Sequence, residues 1–285
     1  MKLYYYRHAQ GVRNFGDELN TWIWEKFMPG VFDNNDQTLF IGIGTILSKK
    51  YLPFAQKNVV FSSGTGYSAP PDIGPNWKIY CVRGPLTAKK LGIALDLALT
   101  DGAVLVREFL AVPSRRKFLF SYMPHLSNGY YAQHSLKQSC HDLGFQYIDP
   151  QWPVEKVLSA LTDTQYLITE ALHGAIVADA LRVPWVAVKT TANILQFKWE
   201  DWCASMELSY RPHKTIPLWD LEQDHDLIKS ARHWMKAKIL RHQLGGIVKN
   251  GRFALSSDER LNQVITEFKQ KRGQFQRDLK AGIFN

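Results

Sequence analysis

The chain has 285 residues, 45% of them hydrophobic and 21% charged, so it can bury ordinary cores and is not a disordered chain. Its longest apolar stretch, residues 175–188, is interrupted by Asp179, Arg182 and Pro184 and is shorter than the roughly 18 residues of a membrane span, and the N-terminus has too short an apolar run for a signal peptide. The three cysteines are widely spaced without a CxxC pair, which encodes neither a disulfide framework nor a zinc site and predicts a reducing, cytoplasmic compartment.

The net charge of +9 is concentrated at the C-terminal end. Residues 229–285 contain 13 Lys and Arg against 4 Asp and Glu, whereas the rest of the chain has 22 of each sign. A basic, partly amphipathic tail can meet anionic lipid headgroups, an acidic glycan or nucleic acid. A solvated helical face that aids solubility is an equally good interpretation, so the charge alone names no partner.

In the first half of the chain, short apolar runs alternate with turn signals, which predicts a mostly parallel sheet. The predicted strands are residues 3–7, 38–43, 58–62 and 77–82. Helices are predicted at residues 17–27 and 85–91, with Gly92 placed to end the second one.

The second half repeats this alternation more regularly. The predicted strands are residues 118–123, 145–148, 165–169 and 185–189, and the helices between them are residues 131–143, 153–161 and 174–181. Such βαβ units predict an α/β fold with two Rossmann-like domains facing a cleft, residues 1–112 and 113–220, followed by a basic, mainly helical extension, residues 221–285. Ligands bind at the carboxyl ends of strands in such sheets, so we look for chemistry in the turns after the strands.

Two kinds of turn in the first half carry candidate residues. Asn14-Phe15-Gly16-Asp17 follows the first strand, and Asp17 is interpreted either as the N-cap of the next helix or as a base towards an acceptor hydroxyl. Two glycine-rich strand ends offer backbone N–H groups to an anion, at Gly44, Thr45, Gly64 and Thr65, although tight turns alone would explain them.

The turn Arg83-Gly84-Pro85 gives the most specific anion signal. Pro85 suits the first helical position, so the guanidinium of Arg83 and the free N–H groups of that helix can converge on a phosphate or carboxylate. The alternative is a surface arginine before a helix.

Two histidines follow strands of the second half. His125 comes after the strand at 118–123, and His173 after the strand at 165–169, where Gly174 is expected to leave space for a substrate. A lone histidine at a strand end is more often structural, but two at equivalent ends of neighbouring units favour a shared site.

Together these segments resemble the polysaccharide pyruvyltransferase family, which includes ketal-forming enzymes of bacterial exopolysaccharide synthesis. The likeness runs from about residue 3 to about residue 202 and rests on short motifs in the expected order: Asn14-Phe15-Gly16-Asp17, Val82-Arg83-Gly84-Pro85-Leu86-Thr87, Thr100-Asp101-Gly102, Pro124-His125, Leu172-His173-Gly174 and Phe197-Lys198-Trp199. Ala171 precedes the Leu-His-Gly motif where many members carry Arg or Ser.

The resemblance implies a two-domain fold like that of the GT-B glycosyltransferases, phosphoenolpyruvate as donor, and a pyruvate ketal on a sugar of a polysaccharide or lipid-linked oligosaccharide as product. No cofactor and no metal are expected. With that chemistry we expect His173 to be the acid and Asp17 or His125 to accept protons. We expect Arg83 and Lys198 to bind the donor, together with Gly44, Thr45, Gly64 and Thr65. Acceptor contacts are predicted for Asn14, Glu170, Trp199 and Trp202.

Two other functions stay open. A GT-B-like glycosyltransferase that uses a nucleotide sugar could hold the diphosphate of that donor in the same anion-binding turns, because fold does not fix chemistry. A non-catalytic glycan-binding protein could use some of the nine Trp and twelve Tyr for stacking. Nucleic acid is not expected as a partner, and the basic tail predicts a cytoplasmic protein peripheral at the inner face of the membrane if the acceptor is lipid-linked.

Overall fold

The first sheet contains four parallel strands in chain order. The computed structural model describes residues 1–8, 11–33, 35–221 and 226–284. The strands are β1 (Lys2–Tyr4), β2 (Thr38–Ile41), β3 (Lys57–Phe61) and β4 (Trp77–Cys81). Helix α1 (Phe15–Phe27) joins β1 to β2, and α2 (Pro85–Leu91) follows β4. Because every pair is parallel, the carboxyl ends of these strands meet at one edge of the sheet.

The second sheet is also parallel, but its strand order reverses. It contains β5 (Phe118–Met123), β6 (Gln146–Tyr147), β7 (Thr164–Thr169), β8 (Trp185–Lys189) and β9 (His213–Lys214), in the order β6-β5-β7-β8-β9. Since β6 lies on one side of β5 and β7 on the other, the switch point falls between β5 and β7. In open α/β sheets a crevice for ligands forms at such a switch point.

Five helices accompany the second sheet: α3 (Leu126–Tyr131), α4 (Gln133–Leu143), α5 (Val154–Thr162), α6 (Leu172–Ala180) and α7 (Gln196–Ser205). Helix α6 is buried almost all round, which explains why its residues after His173 are small or apolar except for Asp179. It packs between the two sheets with α1 and a short 3-10 helix, Gly102–Glu108, and side chains of all three belong to one apolar core. The first turns of α1 and α6 are therefore held close together.

The two C-terminal helices attach to different sheets. Helix α8 (Leu227–Asn250) buries Leu240 and Leu244 with side chains of the second sheet, whereas α9 (Asp258–Lys280) returns to the first. There Phe268 and Phe275 pack on the aromatic cluster around Phe61. None of the helices in the described part of the chain has the length and apolarity that a bilayer span requires.

These observations confirm the α/β class with two parallel sheets. The helix at 85–91 and the strands at 118–123 and 185–189 lie at the predicted residues, and Gly92 ends α2 with a φ of +66°. The helix predicted at 131–143 is wrong in one respect, because the segment forms α3 and α4 with a break at Ala132. The GT-B-like arrangement and the domain boundaries at 112 and 220 stay predictions.

Candidate active site

A cavity of about 230 Å³ opens at the carboxyl ends of both sheets. Loops after β1, β2 and β3 supply one wall, and the first turns of α1, α3 and α6 supply the other, with one side chain from α7. The lining residues are Tyr6, His8, Asn14, Asp17, Gly44, Thr45, Ile46, Tyr51, Tyr67, His125, Leu126, His173 and Lys198. Since β5 and β7 lead directly to His125 and His173, this cavity lies at the switch point of the second sheet.

His173 is the second residue of α6 and packs against α1. A Cβ at Gly16 would come within 2.0 Å of its Nδ1, so only glycine leaves room for the ring there. Its Nε2 is buried and lies 3.6 Å from Oδ2 of the fully buried Asp101, which is beyond hydrogen-bond length but close enough to orient the ring. The second ring nitrogen, Nδ1, is therefore the one that can face a ligand.

Asp17 lies in the third position of α1, and the N-cap is Asn14 instead. The Asn14 side chain accepts a hydrogen bond from Gly16 N and donates one to Asp17 Oδ2 at 2.6 Å. The interpretation of Asp17 as the cap is thus wrong, and its other oxygen faces Gly44 across the cavity. Burial raises the pKa of Asp17, while nearby His173, the hydrogen bond from Asn14 and Lys198 act to lower it.

Glu170 positions His125 from behind. Its carboxylate is fully buried and accepts hydrogen bonds from Tyr122 Oη at 2.7 Å, from the backbone N of His125 at 2.9 Å and from Asn128. Burial raises the pKa of Glu170, and these hydrogen bonds oppose the rise. The prediction of Glu170 as an acceptor contact is wrong, because its oxygens are occupied inside the protein.

His125 caps α3 with its own side chain. Its Nδ1 lies 2.9 Å from Ser127 Oγ and accepts from the backbone N of Ser127, which leaves Nε2 as the second nitrogen. Burial, and then the charge of Lys198, lower the pKa of His125 to about 4. The imidazole is therefore neutral near physiological pH and can accept a proton.

Arg83 is fully buried and paired inside the protein. Its Nε donates to Asp201 Oδ2 at 2.9 Å, and the other carboxylate oxygen of Asp201 accepts from the backbone N of Leu86 and of Thr87. The anion predicted for the start of α2 is therefore a carboxylate of the chain itself. This corrects the prediction that Arg83 binds the donor: it reaches the cavity only by donating to Thr45 Oγ1 at 2.7 Å.

The second glycine-rich turn supports Arg83 and does not line the cavity. A Cβ at Gly64 would come within 2.2 Å of the guanidinium carbon, and the backbone oxygen of Thr65 accepts from Arg83 at 3.0 Å. The predicted donor contacts of Gly64 and Thr65 are thus wrong. Gly44 and Thr45, in contrast, lie on the cavity wall.

Helix α7 directs its side chains in two directions. Lys198 lines the cavity, and its Nζ lies 3.4 Å from Tyr67 Oη. Trp199 and Trp202 are fully buried against Trp185, because residues one and four positions further along the helix point into the core. The prediction of both tryptophans as acceptor contacts is therefore wrong. Among the described lining residues, Lys198 is the only lysine or arginine.

The start of α6 has no side-chain cap. Ala171 occupies the N-cap position and cannot accept a hydrogen bond from the first turn through its side chain, whereas α1 and α3 are capped by Asn14 and His125. The free N–H groups at this end favour negative charge, and His173 of the same turn lines the cavity. Gly174 does not leave space for a substrate as expected: a Cβ there would meet Met123 Sδ at 2.7 Å.

Sequence reasoning missed five residues at this site. Asp101 was noted in a motif but not as a partner of His173, and the tyrosines and His8 were not noted at all. A tyrosine occurs in each of the three loops that follow β1, β2 and β3, and this pattern in the sequence could have identified the three tyrosines. The missed residues are Asp101, Tyr6, His8, Tyr51 and Tyr67.

Parallel α/β sheets with ionisable side chains at a switch point are typical of enzymes that act on small charged substrates. A family profile described as "Polysaccharide pyruvyl transferase" matches residues 14–191. The "Succinoglycan biosynthesis protein ExoV" of Rhizobium meliloti (strain 1021) is 38% identical over 237 residues, which cover 82% of this chain and 73% of that protein. The chain belongs to the polysaccharide pyruvyl transferase family and is a transferase, which confirms the resemblance.

Proposed function

We propose that this chain transfers the pyruvate unit of phosphoenolpyruvate to a sugar of a polysaccharide or lipid-linked oligosaccharide, forming a ketal and releasing phosphate. The observation that carries the proposal is the convergence of His173, His125, Asp17 and Lys198 on one cavity. This set offers a cation for an anionic donor, an accessible imidazole nitrogen and two proton acceptors.

The donor is held by three kinds of group in this proposal. Lys198 supplies the positive charge, and the uncapped N–H groups at the start of α6 receive the phosphate. The backbone at Gly44 and Thr45 forms the opposite wall. Arg83 acts through Thr45, whose hydroxyl it fixes, and is a positioning residue.

The reaction balances without an oxidant or an added acid. Protonation of the enol carbon forms a C–H bond and leaves a cation at C2, which the first sugar hydroxyl attacks with loss of its proton. The C2–O bond to phosphate then breaks, and the second hydroxyl attacks the new cation and loses its proton. Of the two protons that leave the diol, one ends on the methyl group and one on phosphate.

The side chains divide these proton transfers. His173 delivers a proton through Nδ1 to the enol carbon or to the departing phosphate, and Asp101 orients the ring from behind. Neutral His125 and Asp17 accept protons from the two hydroxyls. The low pKa of His125 keeps its imidazole unprotonated at neutral pH, and burial raises the pKa of Asp17 towards the working pH, which favours Asp17 as the stronger base.

The acceptor sugar lies against an aromatic wall in this proposal. The Tyr6 ring contacts the Tyr51 ring edge-to-face at 5.6 Å, Tyr51 contacts Tyr67 at 6.5 Å, and all three line the cavity. A second cavity of about 250 Å³ shares Tyr6, His8, Asn14 and Asp17 with the first and gives room for further sugar units. The name of the relative refers to succinoglycan biosynthesis, which supports an exopolysaccharide repeat as acceptor.

The test is phosphate release from phosphoenolpyruvate against a panel of free and lipid-linked oligosaccharides. We expect release that depends on an acceptor and that His173→Ala removes while the protein stays folded. The rival glycosyltransferase is tested by thermal unfolding, because a ligand that binds the folded state protects it. Protection by nucleoside diphosphates but not by phosphoenolpyruvate would overturn the proposal.

A further inference from the structure

Helix α8 has two apolar faces on opposite sides. One face carries Ala237, Leu240 and Leu244, which are buried against the second sheet. The other carries Leu227, Ile228, Trp234 and Met235, which are 89%, 63%, 59% and 57% exposed. At about 100° of rotation per residue, positions 227 and 234 share one row and positions 228 and 235 the next, so the exposed residues form a continuous stripe.

Neighbouring segments extend this stripe into a surface. Lys236 Nζ lies 5.5 Å from the Trp219 ring centroid. The backbone N of Asp220 donates a hydrogen bond to the backbone oxygen of Tyr131 at 2.8 Å. Trp219 and Tyr131 are 46% and 60% exposed. We use the name α8 surface for Tyr131, Trp219, Leu227, Ile228, Trp234 and Met235.

The charged side chains of helix α8 itself are all basic. Helix α8 contains six Lys and Arg and no Asp or Glu over its whole length. Lys238 Nζ lies 5.2 Å from the Trp234 ring centroid, so a basic group lies within the exposed apolar stripe itself. Three carboxylates near α8 in the described part of the chain are engaged: Asp226 caps α8, Asp220 accepts from the start of α4, and Asp142 pairs with Arg241.

The α8 surface is close to the active site. Helix α3 runs from His125, which lines the cavity, to Tyr131, which belongs to the surface. Six residues of helix span only about 9 Å at 1.5 Å per residue. The Tyr131 edge of the α8 surface therefore lies about one short helix away from a residue of the cavity lining.

We propose that the α8 surface docks the protein on an anionic lipid bilayer. Interfacial helices combine an exposed apolar stripe with a basic rim, and Trp and Tyr are the side chains that settle at the level of the headgroups. The inference stands on the surface alone and does not depend on the pyruvyl chemistry. The sequence predicts a membrane contact for the whole basic tail, whereas the structure limits this contact to the first part of α8. Trp219 and Tyr131, which precede the tail, also belong to it.

A bilayer fits this surface better than a second copy of the chain does. Two copies joined through α8 would bring twelve basic side chains together with no acidic side chain of α8 to balance them. Anionic headgroups offer that balance, and each lysine or arginine near such a surface contributes about 1 kcal/mol.

The test is co-sedimentation of the full chain with vesicles of phosphatidylcholine and phosphatidylglycerol (three to one) and with phosphatidylcholine alone. We expect binding to the anionic vesicles at low salt and much less to the neutral ones. Trp234→Ser with Met235→Ser should weaken binding roughly tenfold or more, and Lys236→Gln with Lys238→Gln roughly twenty- to thirty-fold.

Phe54→Ser is the matched control, because Phe54 is 94% exposed in a loop of the first sheet. It removes a large exposed apolar side chain outside the α8 surface and should leave vesicle binding unchanged. Sedimentation without vesicles measures self-association through the same face. Binding that is absent, equal on neutral vesicles or unaffected by the α8 variants would overturn the proposal, as would self-association that Trp234→Ser abolishes.

Discussion

The imidazole of His173 fits against the backbone of Gly16, where a Cβ would lie 2.0 Å from Nδ1. The two residues come from motifs at opposite ends of the family match, one in the first turn of α1 and the other in the first turn of α6. Their contact places Asp17 and His173 on the same cavity. A side chain on residue 16 must therefore displace the His173 ring.

Gly16→Ala should lower kcat for phosphate release by about a hundredfold, because an error of about 1 Å in a reacting group costs that much. Stability should change little, since alanine favours the helix by up to about 1 kcal/mol while the new methyl group opposes His173. Steady-state kinetics and urea unfolding measure the two effects separately.

The matched control is Gly245→Ala in the interior of α8, where no atom lies within 4 Å of the new Cβ. This variant should gain roughly 0.5–1 kcal/mol of stability and keep normal turnover. Normal turnover in Gly16→Ala as well would contradict the role given to His173.

Asp101 is expected to act on the reaction through His173. Asp101→Asn keeps an oxygen that can accept from Ala103 N, so the 3-10 helix should stay capped. The amide holds the imidazole less well, and kcat should fall at least roughly tenfold with the KM for phosphoenolpyruvate nearly unchanged. A pH profile of kcat tests the link, because a purely structural role would leave its shape as in the wild type.

The buried ion pair of Arg83 and Asp201 is expected to stabilise the fold. Asp201→Ala leaves a buried guanidinium without its partner and should cost about 3–5 kcal/mol of unfolding free energy. The control is Asp72→Ala, which removes the exposed partner of Lys49 and should cost less than about 1 kcal/mol. Unchanged stability in Asp201→Ala, with only the KM for the donor raised, would return Arg83 to the donor site.

The sequence was sufficient where a local pattern determines structure. Strand β8 is buried and apolar over most of its length, and β5 and β7 are buried over their last three residues, so these strands could be located from residue types alone. Parallel strands end at one edge, which is why His125 and His173 could be predicted to share a site. This prediction for His125 and His173 did not depend on knowing which distant residues they contact.

Partners that lie far apart in the chain could not be predicted in this way. Asp201 is 118 residues from Arg83, and nothing near either residue indicates that they pair. The sequence of the Arg83 turn therefore predicted correctly that an anion lies at the start of α2. The anion is the carboxylate of Asp201 and not the donor. Trp199 and Trp202 failed for a related reason, because their motif includes Lys198 but only the packing of α7 decides which side chains face the cavity.

The pKa of His125 makes the stability of the protein depend on pH in a definite direction. Burial and then Lys198 lower this pKa to about 4, whereas a free imidazole has a pKa of about 6.5. Between these values the unfolded chain binds a proton that the folded chain does not. The contribution of His125 is therefore fully present above about pH 6.5, is lost progressively as the pH falls, and levels off below about pH 4.

His125→Gln should remove this part of the pH dependence, and urea unfolding at pH 7 and pH 5 measures it. Between these two pH values the wild type should lose about 1–2 kcal/mol more unfolding free energy than the variant does. The capping bond of His125 is lost at both pH values, so it cancels in the comparison. His141→Gln, at a side chain that is 85% exposed, should keep the wild-type slope. If His125→Gln also kept that slope, the imidazole would titrate as it does in the unfolded chain, and burial and Lys198 would not lower the pKa of His125.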